Sequence, residues 1–329
     1  MSAAAIFGLG CSSHNLKPFQ NESQPIEWRI GMPAASDQAD AVLLFGGDGT
    51  IHRHLGQLVK LGLPVLVIPT GSGNDFARAL GLRGVRDSIA AWKGFCVAKE
   101  NVRSIDLGVI TALDLPTRDT TTQSDSSTHD PASGSPSGTR YFCSVAGVGL
   151  DAEVSRRANR LPRWLRGHGG YALAFAPTIF RFAPFPMKIL APGPATDGDD
   201  AGSRAVDRGS PIPWQVKKDQ PTLLAAFANT PTYGGGMKIA PHAKMDDGLL
   251  DVCVIGGVDP FKLACMFPTV YFGRHLSIRE VDYFQASHLR VETEAPLDVY
   301  ADVEYVCRTP VEVSVQSEAL KVLTPEPRC

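Results

Sequence analysis

Two glycine-rich segments carry the residue types best suited to chemistry in this chain of 329 residues. Each segment directly follows an apolar run, at 41–45 and at 65–68, and each precedes a helical pattern. Glycines let backbone amides approach a ligand closely, and a helix N-terminus beside them attracts phosphate. The candidate nucleotide-binding residues are Gly46, Gly47, Asp48, Gly49, Thr50, Thr70, Gly71, Ser72, Gly73, Asn74 and Asp75.

The two segments are more informative together than either is alone. A single glycine-rich loop with Asp48 could be a tight strand-to-helix turn with an aspartate cap, and Thr50 is placed to cap the helix that follows. Two such loops after parallel strands project from one edge of a sheet, which is where ligands bind. A carboxylate beside phosphate also needs a cation such as Mg²⁺. Neither loop fits the Walker or dinucleotide patterns, so another kind of mononucleotide site is predicted.

The elements around these loops indicate two kinds of architecture. In the first hundred residues, continuous apolar runs alternate with helical patterns, which is typical of a parallel sheet with crossover helices. After residue 106, short strands with turn signals predict a mostly antiparallel domain, with helices at 152–160 and 260–271. Two Ser-, Asp-, Gly- and Pro-rich stretches, about 113–139 and 191–213, are predicted to be long loops of β-hairpins.

Composition excludes several classes of protein. The 32 basic and 34 acidic residues give a net charge of −2, so a nucleic-acid partner is not expected. Seven cysteines without a C-x-x-C pair disfavour a disulfide scaffold or a zinc site and fit a reducing cytoplasm. No apolar run approaches the ~18 residues of a membrane span. We interpret the N-terminal apolar residues as a first strand rather than an export signal.

Five motifs, in order along the chain, resemble the catalytic domain of diacylglycerol kinases, which sphingosine and ceramide kinases share. They are the G-G-D-G-T segment at 46–50, P-T-G-S-G-N-D-F-A-R at 69–78, G-V-G-L-D-A at 147–152, the N…Y-G-G-G-M stretch at 229–237, and A-P…D-G-L-L-D-V at 240–252. The resemblance spans most of the chain.

The resemblance implies a fold of two domains with ATP in the cleft between them. We expect an α/β nucleotide domain at 1–106, joined by a returning segment at about 317–329, and a larger β-sandwich lipid domain at 107–316. By resemblance, Asp48 belongs to a Mg²⁺ and water network around the phosphates. Asp247, with the backbone carbonyls near Lys244 and Leu249, would bind a structural Mg²⁺, and oxygen ligands suit that cation.

The resemblance also places the catalytic base in a late D-G-E motif. The matching residues are Asp302 and Glu304, but Val303 stands where the family has glycine. A valine there is strained if the position requires a positive φ. From this segment alone, an exposed hairpin with two surface acids is the alternative.

A basic segment follows the third motif. It is either a contact for anionic lipid or an ordinary solvated helix face. Its residues are Arg156, Arg157, Arg160, Arg163, Trp164 and Arg166.

The sequence thus predicts an ATP- and Mg²⁺-dependent kinase acting on a lipid hydroxyl, most simply that of diacylglycerol. The alternatives are a lipid- or nucleotide-binding homologue without activity and, lower in rank, an NAD kinase, which shares only the first motif. A lipid substrate at a membrane surface is the expected partner. The expected location is cytoplasmic, with peripheral attachment to the inner membrane face and a homodimer left open.

Overall fold

The computed structural model describes residues 1–20, 25–113, 138–158, 178–179, 182–193 and 213–325. Most of both predicted long loops falls outside these residues. The same is true of four members of the basic segment, Arg160, Arg163, Trp164 and Arg166.

The α-helices with stated bounds in these ranges are α1 (Lys17–Gln20), α2 (Asp48–Leu61), α3 (Asp75–Ala79), α4 (Val85–Val97), α5 (Leu150–Ala158) and α6 (Pro260–Val270). The strands are β1 (Ser2–Phe7), β2 (Glu27–Ile30), β3 (Ala41–Gly46), β4 (Val65–Pro69), β5 (Val102–Ala112), β6 (Thr139–Phe142), β7 (Val145–Gly149), β8 (Phe185–Pro192), β9 (Trp214–Ala228), β10 (Leu250–Gly256), β11 (Val281–Ala286), β12 (His288–Thr293), β13 (Asp298–Ala301), β14 (Glu304–Arg308) and β15 (Val311–Leu323). In the described ranges, no helix is long and apolar enough to cross a membrane.

The N-terminal part is built on a parallel sheet. Strands β2, β1, β3 and β4 pair in parallel in that order. Every residue of β3 is buried, because the sheet is covered on both faces and its strands need no polar side. Helix α2 buries Ile51, Leu55 and Leu58, the apolar stripe expected at helical spacing. The predicted α/β architecture is confirmed.

The start of α2 differs from the prediction. The helix begins at Asp48 with Gly47 as its N-cap residue, so Thr50 lies inside the first turn and the predicted cap was wrong. The Thr50 side chain instead packs over glycine backbone: a Cβ placed on Gly46 would lie 2.5 Å from the Thr50 Cβ, and one on Gly8 would lie 2.5 Å from its Oγ1. Thr50 therefore packs the loop rather than capping the helix.

The remainder of the chain is mostly antiparallel and β-rich, as predicted. Strands β14, β13, β7, β9, β8 and β12 follow one another in the sheet, and β10 pairs with both β9 and β11. The predicted hairpins around the two low-complexity stretches are present, since β5 pairs with β6 and β8 pairs with β9. Helices α5 and α6 match the two predicted helical exceptions.

A long two-stranded ribbon connects the two parts of the sheet. Strand β15 pairs antiparallel with β5 along nearly its whole length and then meets β4 in parallel, where Val322 faces Val65. The ladder is irregular between Gln316 and Leu320. There the buried Asp106 carboxylate accepts the Glu318 amide at 2.8 Å. The end of the chain thus returns to the first sheet, as the resemblance implied.

Candidate active site

A polar cleft of about 240 Å³ lies where β3 and β4 end, and the turn between β13 and β14 closes one side of it. Nine of the eleven predicted nucleotide-binding residues line this cleft. Asp302 and Glu304, the two carboxylates predicted for the catalytic base, line it as well. The lining residues are Leu9, Gly46, Gly47, Asp48, Gly49, Thr50, Arg53, Thr70, Gly71, Ser72, Gly73, Asp302, Val303 and Glu304. The prediction that both loops meet at one sheet edge is therefore confirmed.

The two glycine-rich loops touch each other through backbone. A Cβ added to Gly71 would lie 2.5 Å from the Gly47 Cα, so neither position tolerates a side chain without movement. Asn74 is not among the lining residues; its side-chain amide closes the second loop by bonding the Gly71 amide at 3.0 Å and the Gly71 carbonyl at 2.7 Å. The loop amides are consequently held in a fixed arrangement.

Asp48 joins the two loops. Its carboxylate accepts the backbone amides of Asp75 at 3.1 Å and Phe76 at 3.2 Å, at the N-terminus of α3. Burial, together with the neighbouring charges of Asp75 and Asp302, raises the pKa of Asp48 to about 6, although the two amide bonds favour the ionised form. Asp48 is thus an aspartate cap, but of the helix that follows the second loop.

Asp75 connects the nucleotide loops to the β-rich part. It is buried and absent from the cleft lining; its carboxylate binds Arg78 and accepts the Gly235 amide at 2.8 Å. Gly235 lies in the triple glycine 234–236, whose φ values of 60°, 88° and 104° explain why side chains are disfavoured there. The Y-G-G-G-M motif is therefore a backbone contact for the second loop.

Asp302 is buried, so the alternative of two exposed hairpin acids is wrong for this residue. Its carboxylate accepts the amides of Cys143 at 2.9 Å and Ser144 at 2.8 Å, and it lies 3.2 Å from His52 Nδ1. These bonds attach the β13–β14 turn to α2 and to the start of β7. His52 was missed as a site residue, although its position one helical turn after Asp48 was a usable signal.

The turn that presents these carboxylates has left-handed backbone at two residues. The φ values are 48° at Asp302 and 72° at Val303, which confirms the suspected requirement for positive φ at the valine. Such a conformation is strained for a β-branched residue.

Glu304 differs from Asp302 in exposure. It is exposed to solvent and lines the cleft. Its carboxylate reaches the first turn of α2: a Cβ on Gly49 would lie 2.8 Å from Glu304 Oε1. Of the two predicted bases, Glu304 is the one whose carboxylate faces the cleft without a fixed set of backbone donors among the described residues.

The charge balance of the cleft suits a nucleotide with a divalent cation. Asp48, Asp302 and Glu304 line it with one cationic side chain, Arg53, among the described lining residues. Bringing a polyphosphate to three carboxylates requires further positive charge, and carboxylate and phosphate oxygens are the ligands that Mg²⁺ prefers. The residues present therefore fit Mg²⁺ bound with a nucleotide.

A second, apolar cavity of about 40 Å³ lies beneath α5 and α6 in the β-rich part. Its polar lining includes Asp151, whose carboxylate accepts the Tyr233 hydroxyl at 2.5 Å. Burial raises the pKa of Asp151 to about 6. The other lining residues are Leu150, Val154, Leu224, Met237, Ile239, Ile255, Leu263, Met266, Phe267, Val270 and His275.

The predicted structural metal site has its carboxylate at the surface. Asp247 is exposed, and its Oδ1 accepts the Leu249 amide at 3.1 Å. Within the described ranges, no group of three or more His, Cys, Asp or Glu side chains could hold a metal ion. A site built from Asp247 and the carbonyls of Lys244 and Leu249 would need only one such side chain, so these observations leave it a prediction.

The described part of the basic segment is internally paired. Arg156 lies 2.7 Å from Glu153 Oε2, and Arg157 lies 2.7 Å from Glu153 Oε1, on the surface of α5. Both described arginines of the segment are therefore engaged in ion pairs with a residue of their own helix.

Comparison with known proteins agrees with this geometry. Residues 18–110 match the diacylglycerol kinase catalytic domain, and residues 144–324 match the YegS C-terminal NAD kinase beta sandwich-like domain. The chain is 32% identical to a diacylglycerol kinase of Mycobacterium tuberculosis over 89% of its length and 79% of the relative's. It is 23% identical to a diacylglycerol kinase of Bacillus subtilis over 83% of its length and 73% of the relative's.

A solved structure shows the same fold. The crystal structure of a diacylglycerol kinase from Bacillus anthracis superposes with a TM-score of 0.63 at 20% identity, covering 99% of this chain and 97% of that one. Because the match in sequence to the Mycobacterium tuberculosis relative extends over 89% of the chain at 32% identity, it identifies the family as well as the fold. The chain belongs to the diacylglycerol kinase family and is a phosphotransferase that acts on an alcohol group.

Proposed function

We propose that this protein is an ATP- and Mg²⁺-dependent lipid kinase that phosphorylates the hydroxyl of diacylglycerol or a closely related lipid. The observation that carries the proposal is the position of Glu304, which touches the first turn of α2 inside a cleft lined by two glycine-rich loops. A proton acceptor beside a phosphate site is the arrangement that phosphoryl transfer to an alcohol needs.

The nucleotide phosphates would lie against the backbone amides of the loops 46–50 and 70–73. The contact between Gly47 and Gly71 keeps these amides close together, and Asn74 holds the second loop closed. Mg²⁺, when bound, would neutralise phosphate charge beside Asp48. Arg53, which lines the same cleft, would contact a phosphate oxygen.

Glu304 would act as the general base. The lipid hydroxyl gives its proton to the Glu304 carboxylate, its oxygen forms the new bond to the γ-phosphorus, and ADP leaves with the electrons of the broken bond. Asp302 is a positioning residue, because its oxygens are engaged by the amides of Cys143 and Ser144 and by His52. It would hold the turn so that Glu304 stays in the cleft.

The apolar cavity would hold acyl chain. Its lining is almost entirely hydrocarbon, and burying such chains there is favourable by about 0.8 kcal/mol per CH₂ group. The Asp75 bond to Gly235 joins the second nucleotide loop to the segment that carries Tyr233 and Met237 in the cavity wall. A lipid in the cavity would therefore lie near the bound nucleotide.

The site at Lys244, Asp247 and Leu249 is retained as a structural Mg²⁺ site. Chelation with EDTA should lower the melting temperature of the native protein and leave that of Asp247→Ala unchanged. An equal response of both proteins would remove this site from the proposal.

The function is tested by incubating the protein with labelled ATP and a total lipid extract, followed by identification of the labelled product. We expect a labelled phospholipid, lost in Glu304→Gln and retained in Glu294→Gln, a matched change at an exposed glutamate in another loop. ATP binding without any labelled lipid would favour the inactive homologue. Label appearing in added NAD instead would favour an NAD kinase.

A further inference from the structure

Helix α6 has an apolar stripe on the side away from the cavity. Its inner residues, Leu263, Met266 and Val270, are buried and line the cavity. Its outer residues recur at spacings of four, three and four, which places them on one helical face. This outer stripe consists of Phe261, Cys265, Pro268 and, just past the helix end, Phe272.

The outer stripe is exposed. The relative exposure is 74% for Phe261 and 72% for Phe272, and Cys265 and Pro268 are also exposed. A helix at the surface of a protein normally turns polar residues outward, so apolar residues on both faces indicate a surface that meets a nonaqueous partner. Two phenylalanines at the two ends of one stripe form such a surface.

The charges around the outer stripe are predominantly positive. Lys262, Arg274 and Arg279 lie on or just after the helix, and the Lys238 amide bonds the Val270 carbonyl at its C-terminal end. The acidic side chains on the same segment are Asp259, which caps the helix, and Glu280, which pairs with Lys262 at 2.6 Å. Within 259–280, three cationic side chains thus stand against two acidic ones, and Lys238 adds a further cation from a neighbouring segment. This positive excess complements an anionic surface.

We infer that the outer stripe docks on the surface of an anionic lipid bilayer. The aromatic rings would enter the headgroup boundary while the cationic side chains meet the lipid phosphates. Because the inner face of α6 is a wall of the cavity, docking would place that wall directly on the bilayer. Docking would thereby bring the cavity close to lipid substrate in the bilayer. This consequence rests on the proposed function, whereas the docking itself does not. This contact on α6 is separate from the predicted basic segment, of which Arg156 and Arg157 pair with Glu153.

The test is co-sedimentation of the full chain with phosphatidylcholine vesicles that contain or lack phosphatidylglycerol. We expect binding to the anionic vesicles, reduced about tenfold or more in the double variant Phe261→Ser with Phe272→Ser. The matched control is Ile30→Ser with Val97→Ser, two residues that are 63% and 87% exposed in the nucleotide part and should not affect binding. Arg274→Glu should weaken binding to anionic vesicles by at least about fivefold.

Phosphorylation of a short-chain diacylglycerol in solution separates this inference from the proposed function. The double variant should retain that activity. Co-sedimentation therefore reports on docking, and the soluble assay reports on catalysis. Equal vesicle binding by the native chain and the double variant would overturn the inference. So would a native chain that binds no vesicles but elutes as a dimer that the double substitution dissociates, since a second copy would then cover the stripe.

Discussion

The polar cleft and the apolar cavity each contain a carboxyl whose pKa is raised to about 6, yet the two carboxyls have different surroundings. Asp48 in the cleft accepts two backbone amides and lies near two other acids. Asp151 in the cavity accepts the Tyr233 hydroxyl and lies among mostly hydrocarbon side chains. Burial is the largest cause of the raised pKa in both places.

The difference shows that a raised pKa alone does not identify a site of charge chemistry. In the cleft, fixed amides and an accessible volume prepare the carboxylates to share a cation with a phosphate. In the cavity, the mostly hydrocarbon lining makes ionisation of the Asp151 carboxyl unfavourable, and the Tyr233 hydroxyl offsets part of that free-energy cost. Changes in the cleft should therefore alter turnover, and changes in the cavity should alter lipid affinity and stability.

The largest expected effect separates the two cleft carboxylates. Glu304→Gln should lower kcat by about 100- to 10,000-fold without changing the melting temperature, because it removes a proton acceptor at an exposed position. Asp302→Asn should lower both kcat and the melting temperature, since an amide has one acceptor oxygen for the two buried backbone donors of Cys143 and Ser144. Steady-state kinetics and thermal unfolding of both variants test this; unchanged stability in Asp302→Asn would refute its positioning role.

Filling the cavity should affect the lipid and spare the chemistry. Val154 is buried in the cavity wall on α5. Val154→Phe should raise KM for a long-chain diacylglycerol by about tenfold, on the scale of a few lost CH₂ contacts, and leave kcat for a short-chain substrate unchanged. An equal effect on both substrates would mean that acyl chain does not occupy this cavity.

The pH dependence of stability should distinguish the two raised carboxyls. Asp151 binds its proton more tightly in the folded state, with a pKa of about 6 against 3.8, so its contribution to stability falls as pH rises through that interval. Asp151→Asn keeps an acceptor for Tyr233 and should stabilise the protein at pH 7.5 by on the order of 2 kcal/mol, with no gain near pH 4.

Asp48→Asn is the matched comparison for that experiment. It should give no comparable gain at pH 7.5, because Asp75 and Phe76 donate to different oxygens of the Asp48 carboxylate and asparagine keeps only one of these acceptors. Chemical denaturation at several pH values measures both variants. The same stabilisation in both variants would show that the surroundings of Asp48 and Asp151 do not differ in their effect on stability.

The smallest expected effect concerns the turn beside the cleft. Val303→Gly removes a β-branched side chain from a residue with φ of 72° and should stabilise the protein by about 1 kcal/mol. Val303→Ala keeps a Cβ in the same conformation and should give no such gain. Thermal unfolding of the two variants decides whether strain at this turn costs stability.

Much of the fold follows from local pattern. The buried strands β3 and β4 are continuous apolar runs, and their parallel pairing places the two glycine-rich loops at one edge. The resemblance of the later motifs identified the turn at 302–304, and the identity of Val303 raised the question of positive φ. These features depend on residues that are neighbours in the chain, or on motifs whose residue types and spacing are characteristic of a family.

The remaining features depend on contacts between distant residues. His52 and Asp302 are 250 positions apart, and Asp75 and Gly235 are 160 apart, so nothing in the local pattern pairs them. The distinction between a buried Asp302 and an exposed Glu304 also depends on distant residues, because the amides of Cys143 and Ser144 bind the Asp302 carboxylate. The outer stripe on α6 has helical spacing in the sequence, but its exposure depends on which face covers the cavity.

The ribbon of β5 and β15 has a mechanical consequence. Because it is hydrogen-bonded to both parts of the sheet, the two walls of the cleft cannot move as separate bodies joined by a flexible linker. The pairing of the ribbon is interrupted between Gln316 and Leu320, where Glu318 has a φ of 51° and the Asp106 carboxylate accepts its backbone amide. Opening and closing of the cleft would therefore bend the β5–β15 ribbon at residues 316–320, and the hydrogen bond of Asp106 to Glu318 would limit how far it bends.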